Sequence, residues 1–180
     1  MPGNAFICFD DTIKTGESLH ESHPGSQGWI EITDWSWDIE ADTSFLKGGG
    51  ASVGKPTPGT LSFSHYYDLA SPVIMTRIVQ GTHFKHANIV MLKQTGGSMG
   101  EVYFGMKLSE VFITKVSSKG GEDGSVTQDV ECVFKIAAIG YKKQKPDGSL
   151  DKQVDFVWDI GKMKADAPPA KLDVKGSMDA

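Results

Sequence analysis

The chain has 180 residues, 39% of them hydrophobic and 23% charged, with 18 basic against 23 acidic side chains and a net charge of −5. This composition predicts a globular domain with a sizeable core, and it rules against the basic surface that non-specific nucleic-acid binding requires. No apolar run approaches the roughly 18 residues of a membrane-spanning helix. The N-terminal MPGNAFICFDD has no basic region ahead of an apolar stretch, so no signal peptide is expected.

Ala5–Phe9 (AFICF) is dense in apolar residues and predicts a buried strand. A polar loop, Asp10–Gly28, follows and contains His20, Glu21 and His23. Two histidines and a carboxylate are metal-ligand types. Close neighbours in one loop seldom converge on an ion, however, and no second cluster completes the set, so no metal site is expected. In Trp29–Glu40 (WIEITDWSWDIE) the alternation changes phase: Ile30 and Ile32 share one parity, and Trp35, Trp37 and Ile39 the other. Successive side chains of a strand point to opposite faces, so the change predicts a bend near Thr33 and Asp34. Trp35 and Trp37 are expected in the core, with Ser36 on the opposite face.

KGGGASVGKPTPGT, Lys47–Thr60, carries the Gly49-x-x-x-x-Gly54-Lys55 skeleton of a phosphate-binding loop. That loop needs Ser or Thr after the lysine and a helix beyond it. Here Pro56 stands in that place, lacking both hydroxyl and N–H, and Pro58, Gly59 and a strand follow. The reading is a long flexible loop, Ala41–Gly59, whose length points to function.

Thr60–Ser64 is the next strand. A helix is predicted from Ser71 as N-cap and Pro72 as its first residue, with Ile74, Met75, Ile78 and Val79 on its apolar face and Gly81 ending it. His86–Gln94 reads as a strand. Gly96–Gly100 (GGSMG) matches a nucleophile elbow by letter, but it joins two strands rather than a strand and a helix, which places Ser98 at a hairpin tip. Two further segments, Glu101–Val116 and Asp129–Tyr141, each switch faces midway. Strands that do so predict a strongly bent sheet, as in a small barrel. Gln153–Ile160 is the last strand, and the tail from residue 162 carries no periodicity. Cys8 and Cys132 are too few for a disulfide framework and lie on apolar strands, where buried, inert thiols are expected.

The order of these pieces resembles the Hcp (haemolysin-coregulated protein) family, tube proteins of bacterial type VI secretion systems. The resemblance runs from about Ala5 to Ile160. It rests on Gly16-Glu17-Ser18, WSWDIE, the glycine-rich run to Gly54-Lys55, LSFSHYYDLASP with its helix, GGEDGSVTQDVEC, QKPDGS and a last WDI. His65 departs from a lysine common in the family, and Ala51, Ser52 and Val53 interrupt the glycine run.

The resemblance implies a mainly β fold: a small bent β-barrel of two packed antiparallel sheets with one short α-helix and a long extended loop. The barrel domain would span 1–161 and a flexible tail 162–180. It also implies a homo-hexamer whose rings stack into an expelled tube. The implied partners are a spike protein, a contractile sheath and effector proteins, with no catalysis, no cofactor, no nucleic acid and no membrane insertion. Such a protein is made in the bacterial cytoplasm and secreted. In that frame Ser36 and Asp38 are expected to face the channel. Phe45, Leu46, Lys47, Gly48, Gly49, Gly50, Val53, Gly54 and Lys55 are expected to reach the next ring. A monomeric ligand-binding barrel and a phage tail-tube-like protein are the competing readings, and the enzyme class rests only on the two letter matches above.

Overall fold

The structure, a computed structural model, describes residues 3–46, 50–96 and 100–165. In chain order its elements are β1 (Ala5–Phe9), β2 (Trp29–Glu31), β3 (Asp34–Ser36), β4 (Ile39–Glu40), β5 (Thr43–Leu46), β6 (Gly50–Val53), β7 (Thr57–Pro58) and β8 (Leu61–Tyr66). They continue with α1 (Ser71–Gln80), β9 (Phe84–Lys93), β10 (Glu101–Gly120), β11 (Val126–Val133), β12 (Ile136–Gln144) and β13 (Leu150–Asp159).

β10 organises the rest. Its 20 residues would reach about 66 Å if straight, against a diameter of about 40 Å for a compact chain of this length. It must therefore bend, and it does so at Glu110, whose φ of 52° is rare for a side chain other than glycine. Before the bend β10 pairs with β9 on one side and β12 on the other; from Phe112 onward the partner is β11. β11 and β12 are themselves one strand interrupted at Phe134–Lys135, so the two long segments form a single folded hairpin. Lys135 N–H donates to Ser109 O (3.0 Å) at the crease. The Lys135–Glu110 ion pair there (3.5 Å) is half exposed, so it adds at most about 1 kcal/mol.

The first sheet runs β2-β1-β9-β10-β12-β13 and the second β10-β11-β8-β3, all antiparallel. The far corner is made by β2 and β3, successive halves of one strand. Ile32 N–H donates to Ala5 O (3.0 Å) and Thr33 N–H to Ser64 O (2.8 Å), on opposite sides. The expected phase change at Thr33–Asp34 is this change of partner. The ladder itself is open, running from β2 to β3. The two sheets meet at this corner through the continuous chain and these two bonds, and no closed barrel is detected among the described residues.

The space between the sheets is filled by Ile7, Phe9, Ile30, Leu61, Phe63, Ile89, Met106, Leu108 and Val130, with Ile74 of α1 closing one side. β1 is buried at every position because its other face is covered too. The segment 10–28 folds over Phe6, Cys8 and Trp29. His23 stacks on Phe6 (5.4 Å between ring centres) and meets Trp29 edge-on (4.7 Å). The expected solvent loop is therefore a lid with a buried histidine. Its crossing is tight: a Cβ on Gly16 would lie 2.2 Å from Trp29 O, which explains the glycine of the Gly-Glu-Ser triplet.

α1 starts one residue earlier than its sequence suggests. Ala70 occupies the cap position without a side-chain bond, and Ser71 is the first helical residue. The Ser71 hydroxyl instead accepts from Asp68 N–H (3.0 Å). Gly81 ends the helix in the left-handed conformation, as expected. Of its apolar positions Ile74 is buried, whereas Met75 and Val79 are exposed. The triplet Asp-Gly-Ser builds the same turn twice. Asp123 accepts from Ser125 and Asp147 from Ser149, through N–H and hydroxyl in each case. Gly124 and Gly148 take φ of 85° and 87°.

Asp10 ties the lid to β9. It accepts from Thr12 N–H (3.0 Å) and Lys85 N–H (2.6 Å). Burial works against its charge, but these bonds, that of the Thr12 hydroxyl and nearby Arg77 outweigh it and hold the carboxyl below its usual value. A depressed carboxylate contributes stability that is present above its unfolded value near ~4 and lost as pH falls through the folded one. Asp10→Asn should lower the unfolding free energy by about 1–3 kcal/mol at neutral pH. In urea melts the gap to the parent chain should narrow as pH drops below ~4.

Candidate functional site: a polar sheet face and a projecting arm

The second sheet separates its side chains by parity. On β8, Leu61, Phe63 and His65 point inward and are buried, while Ser62 and Ser64 point out. β3 and β11 continue the outer face with Asp34, Ser36, Asp129 and Glu131, and β10 with Lys115 and Ser117. The groups bond to each other along the face: Ser36 Oγ to Ser62 Oγ (2.8 Å), and the Ser64 hydroxyl to Asp129 Oδ1 (2.6 Å). The result is a wet wall of hydroxyls, carboxylates and lysine, with its hydrogen bonds lying flat on the sheet.

Ser36 is exposed on this wall, as expected. Asp38 is also exposed, but it sits beyond the wall at the root of the arm, where its carbonyl accepts from Gly59 N–H (2.9 Å). Ser62, Ser64, Asp129 and Glu131 were not singled out from sequence, although the alternation of LSFSH carries the signal for the first two. Trp35 and Trp37 face the core but remain half-buried. Trp35 stacks on Phe104 (5.2 Å) and Trp37 meets Phe134 (5.3 Å), with its indole N–H donating to Gly59 O (3.1 Å).

Within the expected loop, Ala41–Gly59, the described residues pair as a two-stranded ribbon. β4 pairs with β7, and β5 with β6 in the register Thr43↔Val53, Ser44↔Ser52, Phe45↔Ala51 and Leu46↔Gly50. β-Branched Thr43 and Val53, paired with each other, are residue types that favour strands. Gly54 N–H donates to Asp42 O, and a Cβ there would lie 2.9 Å from that oxygen. Lys55 is exposed. Of the residues expected to reach a neighbour, Lys47, Gly48 and Gly49 lie outside the described residues, as does Ser98.

The remaining motifs are structural. Cys8 and Cys132 are buried, and burial pushes both thiols up to about 12. His65 is fully buried and bonds Gln128 Oε1 across the β8–β11 pair (2.7 Å). A cleft of about 260 Å³ beside the lid is lined by Glu17, Glu31, Thr33, Tyr66, Tyr67 and Asp68. Burial raises the Asp68 carboxyl, which accepts from Ala70 N–H (2.9 Å) and so shapes the turn into α1. Among the described residues no three His, Cys, Asp or Glu side chains gather to hold a metal ion. None of the described helices is long and apolar enough to cross a membrane.

These features define a mainly β protein of two packed sheets, with one dry face, one wet face and a projecting ribbon. The family model for the type VI secretion system effector Hcp matches residues 6–141. Protein hcp1 of Pseudomonas aeruginosa is 32% identical over 163 residues, spanning 89% of this chain and 96% of that protein. A type six secretion system protein of solved structure superposes with a TM-score of 0.79 at 21% identity, covering 89% of this chain and 97% of that one. Hcp1 of Salmonella typhimurium superposes with a TM-score of 0.71 at 25% identity, covering 91% and 99%. The chain belongs to the Hcp family of type VI secretion proteins.

The separation of faces has a direct test. Trp35→Ala removes a core-facing aromatic and should cost about 2–4 kcal/mol, whereas Ser36→Gln on the wall should stay within ~0.5 kcal/mol of the parent. Equilibrium unfolding of the two variants measures both.

Proposed function

We propose that this chain is the tube subunit of a type VI secretion system, secreted without catalysis. In this reading hexameric rings stack into a tube, the tube is driven out by a sheath behind a spike protein, and effector proteins ride in its channel. The observation that carries the reading is the wet wall of the second sheet, backed by membership of the family. A surface of mutually bonded hydroxyls and carboxylates, centred on Ser36 and Ser62, offers cargo only weak, exchangeable contacts. Cargo can therefore be held and still released.

The ribbon arm fits contact between successive rings. It leaves the body beside Asp38 and Gly59 and is stiffened by its own ladder, so it can bridge a gap without a large ordering cost. The packed interior argues against a monomeric ligand-binding barrel, because Phe63, Ile89, Met106 and Leu108 fill the space a ligand would need.

Replacing Thr43–Val53 by a two-residue Asn-Gly turn, which rejoins Asp42 to Gly54, should leave isolated rings intact and abolish stacking. Electron microscopy distinguishes these outcomes, and normal stacking by the shortened chain would refute the assignment of the arm. Ser36→Gln should leave rings intact and change the amount of effector that co-purifies with them. If retention is unaltered, the wall does not line the channel.

A further inference from the structure

After β13 the chain turns back on itself. Asp159 is buried, and its carboxylate accepts from Lys162 N–H (3.0 Å). Met163 N–H donates to Ile160 O (3.3 Å), and Met163 takes a φ of 56°. The turn ends on a complete antiparallel rung: Asp159 N–H donates to Lys164 O (2.6 Å) and Lys164 N–H to Asp159 O (3.1 Å). Facing residues that exchange both bonds are the hydrogen-bonded pair of an antiparallel ladder. The chain is therefore aimed back along the outer edge of β13, whose inner edge is taken by β12.

That edge is apolar where the returning chain meets it. Val154 is 70% and Phe156 41% exposed, and both have the parity of buried Trp158. Phe156, Val157 and Trp158 line a groove of about 210 Å³ together with Ile39, Pro56 and Ala165. Ala165 is the last of the described residues, so the chain already sits in the groove at the point where residues 166–180 follow.

We infer that residues 166–170 continue the Asp159–Lys164 rung as a further strand on β13, seating Ala167 over Phe156 and Pro169 over Val154. The register follows from that rung by stepping one residue at a time in opposite directions. Ala165, Ala167 and Pro169 then share a face and meet Trp158, Phe156 and Val154, apolar on apolar. Pro168 falls opposite Asp155 in a hydrogen-bonded position and forfeits one main-chain bond, whereas the nitrogen of Pro169 faces solvent and forfeits none. The two prolines also make the new edge a poor template for any further strand. A second copy of the chain is the competing occupant of β13. The segment of the same chain is favoured because the short turn Ile160–Met163 has already closed it onto the edge. The contact lies within one chain and stands apart from the ring reading. It guards a long edge and its apolar groove against foreign strands.

Hydrogen exchange on the full chain and on a chain ended after Ala165 is the test. Asp159 N–H points to the outer edge and Ile160 N–H to Lys135 O on the inner side, so the amides of Asp155 and Val157 point outward and those of Phe156 and Trp158 toward β12. Asp155 and Val157 should exchange roughly tenfold more slowly in the full chain, or slower still, than in the shortened one. Phe156 and Trp158 should be protected alike in both, which also shows that the shortened chain is folded. In the full chain Val154→Cys with Pro169→Cys should form a disulfide within one molecule under mild oxidation. Neither single variant should cross-link, because Cys8 and Cys132 are buried. Equal exchange of Asp155 and Val157 in the two chains would overturn the contact: fast in both means that nothing covers the edge, and slow in both means that a second copy does. A disulfide that joins two molecules would overturn it in favour of segments exchanged between copies, and protection without any disulfide would overturn the register.

Discussion

The bend of β10 at Glu110 is the constraint from which the architecture follows. A strand of this length cannot stay straight inside a domain of this size, and a strand that bends must change neighbours. β9 and β12 flank its first half and β11 its second. The bend thus creates two sheets from one hairpin and sets the gap that Phe63, Met106 and Leu108 fill. It also leaves β12 and β13 extending past the edge of the second sheet. The ion pair at the crease is too exposed to impose this geometry. What holds the bend is the burial of Leu108 and Val111, fully enclosed on either side of it, each worth about 1.5–3 kcal/mol.

Bending also decides which surfaces are wet. Where both faces of the first sheet are covered, as at β1, the sequence is apolar at every position. Where only one face is covered, as at β8, it alternates, and serines occupy the outer positions. These serines bond sideways to each other and to Asp129, which leaves a smooth polar wall with few long side chains. A wall of this kind suits passage better than capture, since tight binding needs convergent groups in a concave pocket.

Much of this was legible in the sequence. Each change of apolar parity marked a real change of partner, because period-2 alternation reports directly which face is buried. The paired Asp-Gly-Ser turns were equally readable, since only a few residues accept that backbone. The arm was not. Its glycines and prolines read as a loop, and its pairing depends on register between two short segments of weak individual propensity. The lid was missed for a related reason. His20 and His23 look like solvent residues until Phe6 and Trp29 are seen beneath them, a contact set by tertiary packing rather than by local pattern. The helix cap was off by one residue because the Ser71 hydroxyl found a nearer partner in the Asp68 turn.

The glycine-rich run shows how context decides a motif. Gly54 follows a β-ribbon and precedes Pro56, so the lysine beside it has no helix N-terminus to share with a phosphate. The same residues instead let two backbones approach, as the close contact of Gly54 with Asp42 O shows. The ribbon is rooted by Trp37, whose indole N–H holds Gly59 O while its ring packs on the core residue Phe134. The arm root and the open edge of β13 meet in one apolar groove.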